Sequence, residues 1–197
     1  MSKANLRPEW EHLRELLPEL VTEMEKKFPY ASVTVTETSG VDISVDNREQ
    51  KISQANPSRG AVITVFNGSF IVERATGDLR PENLTRQARE LASEVRVEGT
   101  VTIAPGDPVK KDYLQPMNID PAGVPLEEKL DLCRGTRARA AALDSRMVNA
   151  FTQYRERAER KLFVNRTRSL YQEVTRVLLS TFAIAHEHGN TRFHGET

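Results

Sequence analysis

The chain has 197 residues, with 28 Lys and Arg balanced by 28 Asp and Glu, so its charge selects no class of partner by sign. At 38% hydrophobic and 28% charged it is polar for a folded chain but not disordered, and is sized for one globular domain or two small ones sharing a core. No apolar run approaches the roughly 20 residues of a membrane span, no signal-like apolar core opens the sequence, and the single cysteine, Cys133, excludes an internal disulfide and a thiolate metal cluster; the expectation is a soluble cytoplasmic protein without a membrane partner.

Residues 8–28 have helical spacing. Trp10, Leu13, Leu17, Leu20, Val21, Met24 and Phe28 form one apolar stripe. Pro8 suits a first helical turn, whereas Pro18 predicts a kink or a restart, because it lacks an N–H and crowds the preceding turn. The period then changes to two. Val33 and Val35 alternate, as do Val41, Ile43 and Val45, and AVITVFNGSFIVERA holds two β-rich runs joined at Asn67-Gly68, a strong hairpin signal. These four runs predict an antiparallel meander with one polar face.

A second helix is predicted over 79–95, carried by Leu84, Ala88, Leu91, Ala92 and Val95 and started by Asp78 and Pro81. Residues 104–125 hold five of the ten prolines and read as an extended connector. A third helix spans 125–144, with acids early and arginines late, as the helix dipole favours. Three or four strands follow: MVNAFTQYRERAE, KLFVN and the long SLYQEVTRVLLSTFAIAHEH. The fold class is α+β with largely antiparallel sheet. The expectation is one domain over 1–197, with lobes of about 8–103 and 125–197 joined by a connector at 104–124 and sharing a continuous core.

The last residues, AIAHEHGNTRFHGET, look like a zinc site and are not the helical kind. A helical zinc-peptidase motif sets the second His four positions after a His-Glu, but position 190 is Asn, and position 191 is Thr. A strand could present His186 and His188 as a His-x-His chelate. With Gly189-Asn190 as the hairpin loop, His188 would pair with Thr191, His186 with Phe193 and Ala185 with His194. His194 would then face away from the other two, so a half-buried strand end is preferred to a metal site.

Residues 134–176 carry eleven Lys and Arg against four Asp and Glu. Such a cluster can track a phosphate backbone. It lacks interleaved stacking aromatics and a recognition helix, so protein contact is favoured over nucleic acid. Asp42, Asp46, Glu49 and Asp78 read as solvated turn or outer-face carboxylates. Cys133 reads as a small buried side chain, with nearby arginines leaving a reactive thiol open. No Gly-rich phosphate loop is present.

Four stretches resemble the N-terminal domain of the TldD/PmbA family, zinc metallopeptidases formerly called modulators of DNA gyrase. They are YASVTVTETSGVDISVDNREQKISQ, SRGAVITVFNGSFIVERATGDL, LRPENLTRQARELA and PLEEKLDLCRGTRARAAALDSRMVNAFTQYRERAERKLFVNRT. The resemblance covers most of residues 8–197. It departs after the apolar strand, where Asn165-Arg166-Thr167-Arg168 stands in place of the family's Asn-Ser-x-Gly and lacks its glycine. Phe70–Ala75 likewise replaces a Gly-Phe-Ala phrase.

The family's His-Glu-x-x-x-His motif belongs to a C-terminal half, so the resemblance transfers no catalytic residue and no metal ligand. It implies no cofactor in this chain and zinc in that other half. It implies a domain that helps admit and bind unfolded peptides or small proteins, such as microcin precursors and antitoxins, beside a TldD/PmbA-type C-terminal domain or partner subunit. Arg59, Asn165, Arg166 and Arg168 are the candidate substrate or partner contacts. The alternative is an adaptor protein using the arginine-rich region 134–168.

Overall fold

The computed structural model describes residues 7–104 and 106–197. The order of elements is the one the sequence predicts: helix, strand meander, helix, Pro-rich connector, helix, long antiparallel strands. Helix α1 (Pro8–Glu25) buries Trp10, Leu13, Leu17, Leu20, Val21 and Met24. Full burial of each such side chain favours folding by about 1.5–3 kcal/mol. Of the kink or restart expected at Pro18, the restart does not occur: α1 runs through it without interruption. Buried Leu20, Val21 and Met24 hold the next turn in place, and the Pro18 carbonyl accepts from Thr22 Oγ1 at 2.8 Å.

The two Val/Ile alternations lie in one continuous strand, β1 (Tyr30–Val45). Gly40 stands at their junction, where a Cβ would fall 1.9 Å from the Glu156 carbonyl oxygen. Only a residue without a side chain fits there. Strand β2 (Gln50–Phe66) follows, then β3 (Ile71–Thr76), paired antiparallel from Phe66↔Ile71 to Ala61↔Thr76. Helix α2 (Pro81–Glu94) buries Asn83, Leu84, Ala88 and Leu91.

The connector contributes a strand of its own, β4 (Val109–Leu114), paired parallel with residues 168–173. Every residue of β4 is exposed, so it shows neither alternation nor an apolar run by which a strand is recognised. A 3-10 turn (Pro121–Gly123) leads to α3 (Leu126–Ala141). The long strands are β5 (Met147–Asn165), β6 (Arg168–Glu187) and β7 (Asn190–Glu196). The strand order is β3-β2-β1-β5-β6-β4, with β7 paired to β6.

The chain divides into two compact units, and β1, β2, β5 and β6 contribute residues to both. The first comprises the chain up to Thr38, Ser58–Leu114 and Glu159–Val174. Its core joins α1 and α2 to Val33, Val35, Ala61, Ile63, Val65, Leu162, Val164 and Tyr171. The alternate strand residues Thr34, Thr36, Val62, Thr64 and Phe66 turn to the other face and are only half-buried. The second unit comprises Ser39–Pro57, Gln115–Ala158 and Thr175–Thr197. Its core sets Leu130 and Cys133 of α3 on Val41, Ile43, Val45 and Tyr154. On the alternate residues, Phe151 stacks on Phe182 and Phe182 on Phe193, with ring centroids 4.7 and 5.5 Å apart.

Candidate functional site

The histidine-rich end closes differently from its predicted pairing. The hairpin pairs Glu187 with Asn190, His186 with Thr191 and Ala183 with His194. The loop is therefore His188-Gly189, and the register lies two residues from the expected one. Gly189 takes φ 78° and His188 takes φ 48°. Asn190 is consumed by the strand, and the left-handed turn falls on the glycine and the residue before it. His188 is thus a turn residue, 89% exposed, not a strand partner of His186. His186 Nδ1 lies 3.1 Å from Thr191 Oγ1, and His194 Nε2 lies 2.8 Å from Glu196 Oε1. Among the described residues no group of three or more His, Cys, Asp and Glu side chains could hold a metal ion. The donor set does not fit zinc.

Asn165 organises the β5–β6 turn. Its Oδ1 accepts from the backbone N–H of Thr167 at 3.0 Å and of Arg168 at 2.7 Å. Asn67 does the same at the β2–β3 turn, accepting from Ser69 and Phe70 at 3.0 Å each. Asp46 repeats it at the β1–β2 turn, accepting from Arg48 at 2.6 Å and Glu49 at 2.8 Å. This Asx device turns the chain, which is how residues 165–168 dispense with a glycine. Arg166 Nε lies 3.4 Å from Glu25 Oε2. Arg168 packs over Gly106.

Most arginines of 134–168 face carboxylates or carbonyls of the chain. Arg134 meets Glu127 at 2.6 Å and Asp131 at 2.8 Å, and Arg137 donates to the Ala150 carbonyl at 3.2 Å. Arg146 holds Asp144 and Glu187 at 2.5 and 2.8 Å. Arg155 and Arg157 share Asp42, at 3.0 and 2.5 Å. Burial raises the Asp42 pKa, but the hydrogen bonds from Arg157 and Arg155 outweigh it and leave the carboxyl below its usual value. Arg160 bridges Glu37 at 2.9 Å and Glu173 at 2.8 Å. This internal pairing leaves little of the cluster for phosphates. Cys133 is fully buried, and burial pushes its thiol pKa up, so it is a packing residue.

The best-formed depression in the first unit holds Arg59. It is a cavity of about 500 Å³ lined by Glu9, Trp10, His12, Leu13, Glu37, Arg59 and Gly77–Pro81, within the size range of ligand sites. Helices α1 and α2 both open on it. Each begins with proline after an arginine, Arg7 or Arg80, whose side chain does not cap the helix. Proline has no N–H to offer, and Trp10 and Asn83 already donate theirs to the Arg7 and Arg80 carbonyls at 2.9 and 3.0 Å.

The cations of the cavity differ in what they hold. Arg80 grips Asp78 through Nε at 3.0 Å and Nη2 at 2.5 Å, which lowers the Asp78 pKa to about 2. Glu37 is held by Arg160. Arg59, by contrast, faces Glu9 at 3.9 Å with both side chains half exposed, beyond hydrogen-bond reach. Trp10 packs edge-on against Tyr171, with centroids 5.6 Å apart, and its buried indole Nε1 has no hydrogen-bond partner among the described residues.

The cavity collects Arg59 from the predicted contacts but not Asn165, Arg166 or Arg168. The residues around it carry a signal in the sequence: Leu-Arg-Pro-Glu occurs at 6–9 and again at 79–82. The repeat marks two helix starts that open on one cavity. Beside it, a shallower groove of about 380 Å³ is lined by Thr36, Thr38, Gly60, Val62 and Ala75, and shares Arg59 and Gly77 with the cavity.

No family model and no curated protein matches the chain. Solved structures do. A putative modulator of DNA gyrase from Bacteroides thetaiotaomicron matches 94% of this chain at 14% identity and a TM-score of 0.72. The chain has the fold of that protein. A second putative modulator of DNA gyrase, from Thermotoga maritima, matches 93% at 18% identity and a TM-score of 0.68. TldE from Thermococcus kodakarensis matches 92% at 12% identity and a TM-score of 0.61. The chain spans less than half the length of these proteins, 42–44% of each.

Proposed function

We propose that the chain is a non-catalytic domain of a TldD/PmbA-like metallopeptidase. It admits and holds an extended, unfolded peptide or small protein for a C-terminal domain or partner subunit that carries the zinc. The observation that carries this reading is the coverage. More than nine-tenths of the chain matches, yet less than half of each solved structure is matched. The absence of a metal-binding donor set among the described residues supports a division of labour in which the chemistry lies elsewhere. No described helix is long and apolar enough to cross a membrane, which accords with the cytoplasmic setting expected for such a peptidase.

The physical means is sheet geometry. Strands β3 and β4 end the strand order, and an edge strand offers backbone hydrogen bonds to an extended chain of almost any sequence. Arg59 contacts the bound chain. Arg166 and Arg168, on the turn that Asn165 shapes, serve as partner contacts. The competing reading, an adaptor using the arginines of 134–168, is weakened by their pairing within the chain.

The test is incubation of the purified chain with an unfolded polypeptide and zinc, with calorimetry for binding and mass spectrometry for cleavage. The chain alone binds the polypeptide and leaves it intact. Zinc-dependent hydrolysis by the chain alone, or no binding, contradicts the reading.

A further inference from the structure

We infer that β7 is a dimerisation edge: two copies of the chain join their β7 strands antiparallel about a two-fold axis at His194. The inference concerns the second unit alone and goes beyond the peptide-binding reading.

Three observations carry it. First, β7 pairs with β6 on one side, and all seven of its residues are exposed. Asn190 closes the two-residue turn against Glu187, and the hydrogen bonding of an antiparallel ladder alternates from that closing pair. Asn190, Arg192, His194 and Glu196 therefore bond back to β6, while Thr191, Phe193 and Gly195 direct their N–H and C=O groups outward. A row of outward groups is a template for another strand. Second, the edge ends an apolar face. Phe151, Phe182 and Phe193 stack in succession across β5, β6 and β7, and Phe193 stays 62% exposed. Phe182 also covers Gly195, where a Cβ would lie 2.5 Å from its ring. Third, the charges of β7 are complementary to those of its own copy. Arg192 has no ion-pair partner among the described residues, and Glu196 meets only His194, at 2.8 Å.

Charge selects the register. Outward residues must meet outward residues, so the axis falls on one residue of the strand. An axis at Thr191 pairs only the first three residues. An axis at Arg192 opposes two arginines, and one at Phe193 sets Arg192 against His194. An axis at Gly195 leaves Arg192 unpaired. An axis at His194 sets Arg192 opposite Glu196 of the second copy, twice. Each of these is a non-hydrogen-bonded pair, the kind whose side chains approach closest. Phe193 then pairs with Gly195 of the second copy, where no side chain obstructs its ring. The apolar face continues across the axis from Phe182 and Phe193 to their copies.

The full chain is followed by sedimentation equilibrium over a concentration series, and His194→Cys and Thr191→Cys are oxidised separately. The pair on the axis sets its Cα atoms about 4.5 Å apart, within disulfide reach, whereas the two copies of position 191 lie roughly 20 Å apart. The native Cys133 is fully buried. The expected result is a reversible monomer–dimer equilibrium, with a covalent dimer from His194→Cys and none from Thr191→Cys. Phe193→Ser and Arg192→Glu each weaken the dimer about tenfold or more. Combining Arg192→Glu with Glu196→Arg restores it.

A chain that stays monomeric throughout overturns the inference. So does a dimer indifferent to Phe193→Ser and Arg192→Glu, which would use another surface. Crosslinking of Thr191→Cys as readily as His194→Cys overturns the register. A monomer whose β7 amides shift in NMR spectra on adding an extended peptide assigns the edge to peptide instead of a second copy.

Discussion

Lys129 Nζ donates to Glu156 Oε2 at 2.7 Å, and the two side chains are only 8% and 9% exposed. Tyr154 Oη donates to the same carboxylate oxygen at 2.8 Å, so one buried acceptor fixes α3 over β5 in the second unit. Burial, followed by the hydrogen bond to Glu156, raises the Tyr154 pKa far above its ordinary value. Removing one member of such a pair leaves an uncompensated charge in the interior. Lys129→Met is therefore expected to cost about 3–5 kcal/mol. Adding Glu156→Gln, which removes the orphaned charge and still accepts from Tyr154, recovers most of that loss. Urea unfolding of the single and double variants checks the ordering. Equal stability of Lys129→Met and the parent would contradict it.

Asn165 is a turn builder by geometry, and its replacement separates shape from contact. Asn165→Ala loses two backbone hydrogen bonds, at 3.0 and 2.7 Å, and is expected to cost about 1–2 kcal/mol. Asn165→Asp keeps an acceptor at the same place and stays within about half a kcal/mol of the parent. Denaturant midpoints at neutral pH measure both. A harmless alanine would sink this account of the turn.

Asp78 provides a pH signature of the cavity wall. Its pKa falls from 3.8 to about 2, chiefly through the side-chain hydrogen bond from Arg80. The folded value is depressed, so the stabilisation is fully present above about pH 4 and is lost as pH falls through about 2. Carboxyl titration by NMR should give a midpoint near 2 in the parent and a return toward 3.8 in Arg80→Gln. A parent midpoint already near 3.8 would show that the Arg80 grip does not persist in solution.

The histidines are expected to hold no zinc. With His188 in the turn and 89% exposed, and His194 opposite Ala183, His186 lacks neighbours that complete a coordination shell. The purified chain should lose zinc on dialysis, and His186→Ala should leave the metal content unchanged. Stoichiometric zinc that survives dialysis in the parent and not in the variant would reverse this conclusion.

The sequence is most legible where one face is buried. The stripe from Trp10 to Met24 and the alternation at Val41, Ile43 and Val45 are both repeated in the structure, because the core enforces the period. The Asn67-Gly68 hairpin is legible through its turn chemistry, with Gly68 at φ 100°. What escapes is what burial does not mark. Strand β4 is exposed throughout. The β6–β7 register turns on which residue beside Gly189 accepts a positive φ, and no hydrophobic pattern decides that. Pro18 reads as a kink or a restart because propensity is local, while the buried stripe that carries α1 through it runs on both sides. Arg59 stands out in the sequence, but its companions Glu9, Glu37, Asp78 and Arg80 come together only when two helix starts and two strands meet. The repeated Leu-Arg-Pro-Glu is the trace they leave.

The central claim is that this chain binds unfolded peptide without cleaving it, on its sheet and at the Arg59 cavity. The most direct measurement is an NMR titration of the isotope-labelled full chain with an unfolded peptide, with the peptide's mass followed in parallel. The account predicts backbone amide shifts along an edge strand, β3 or β4, and around Arg59, and a peptide of unchanged mass. Peptide-induced shifts confined to the arginines of 134–168, or no shifts at all, would contradict it, as would cleavage of the peptide by the chain alone.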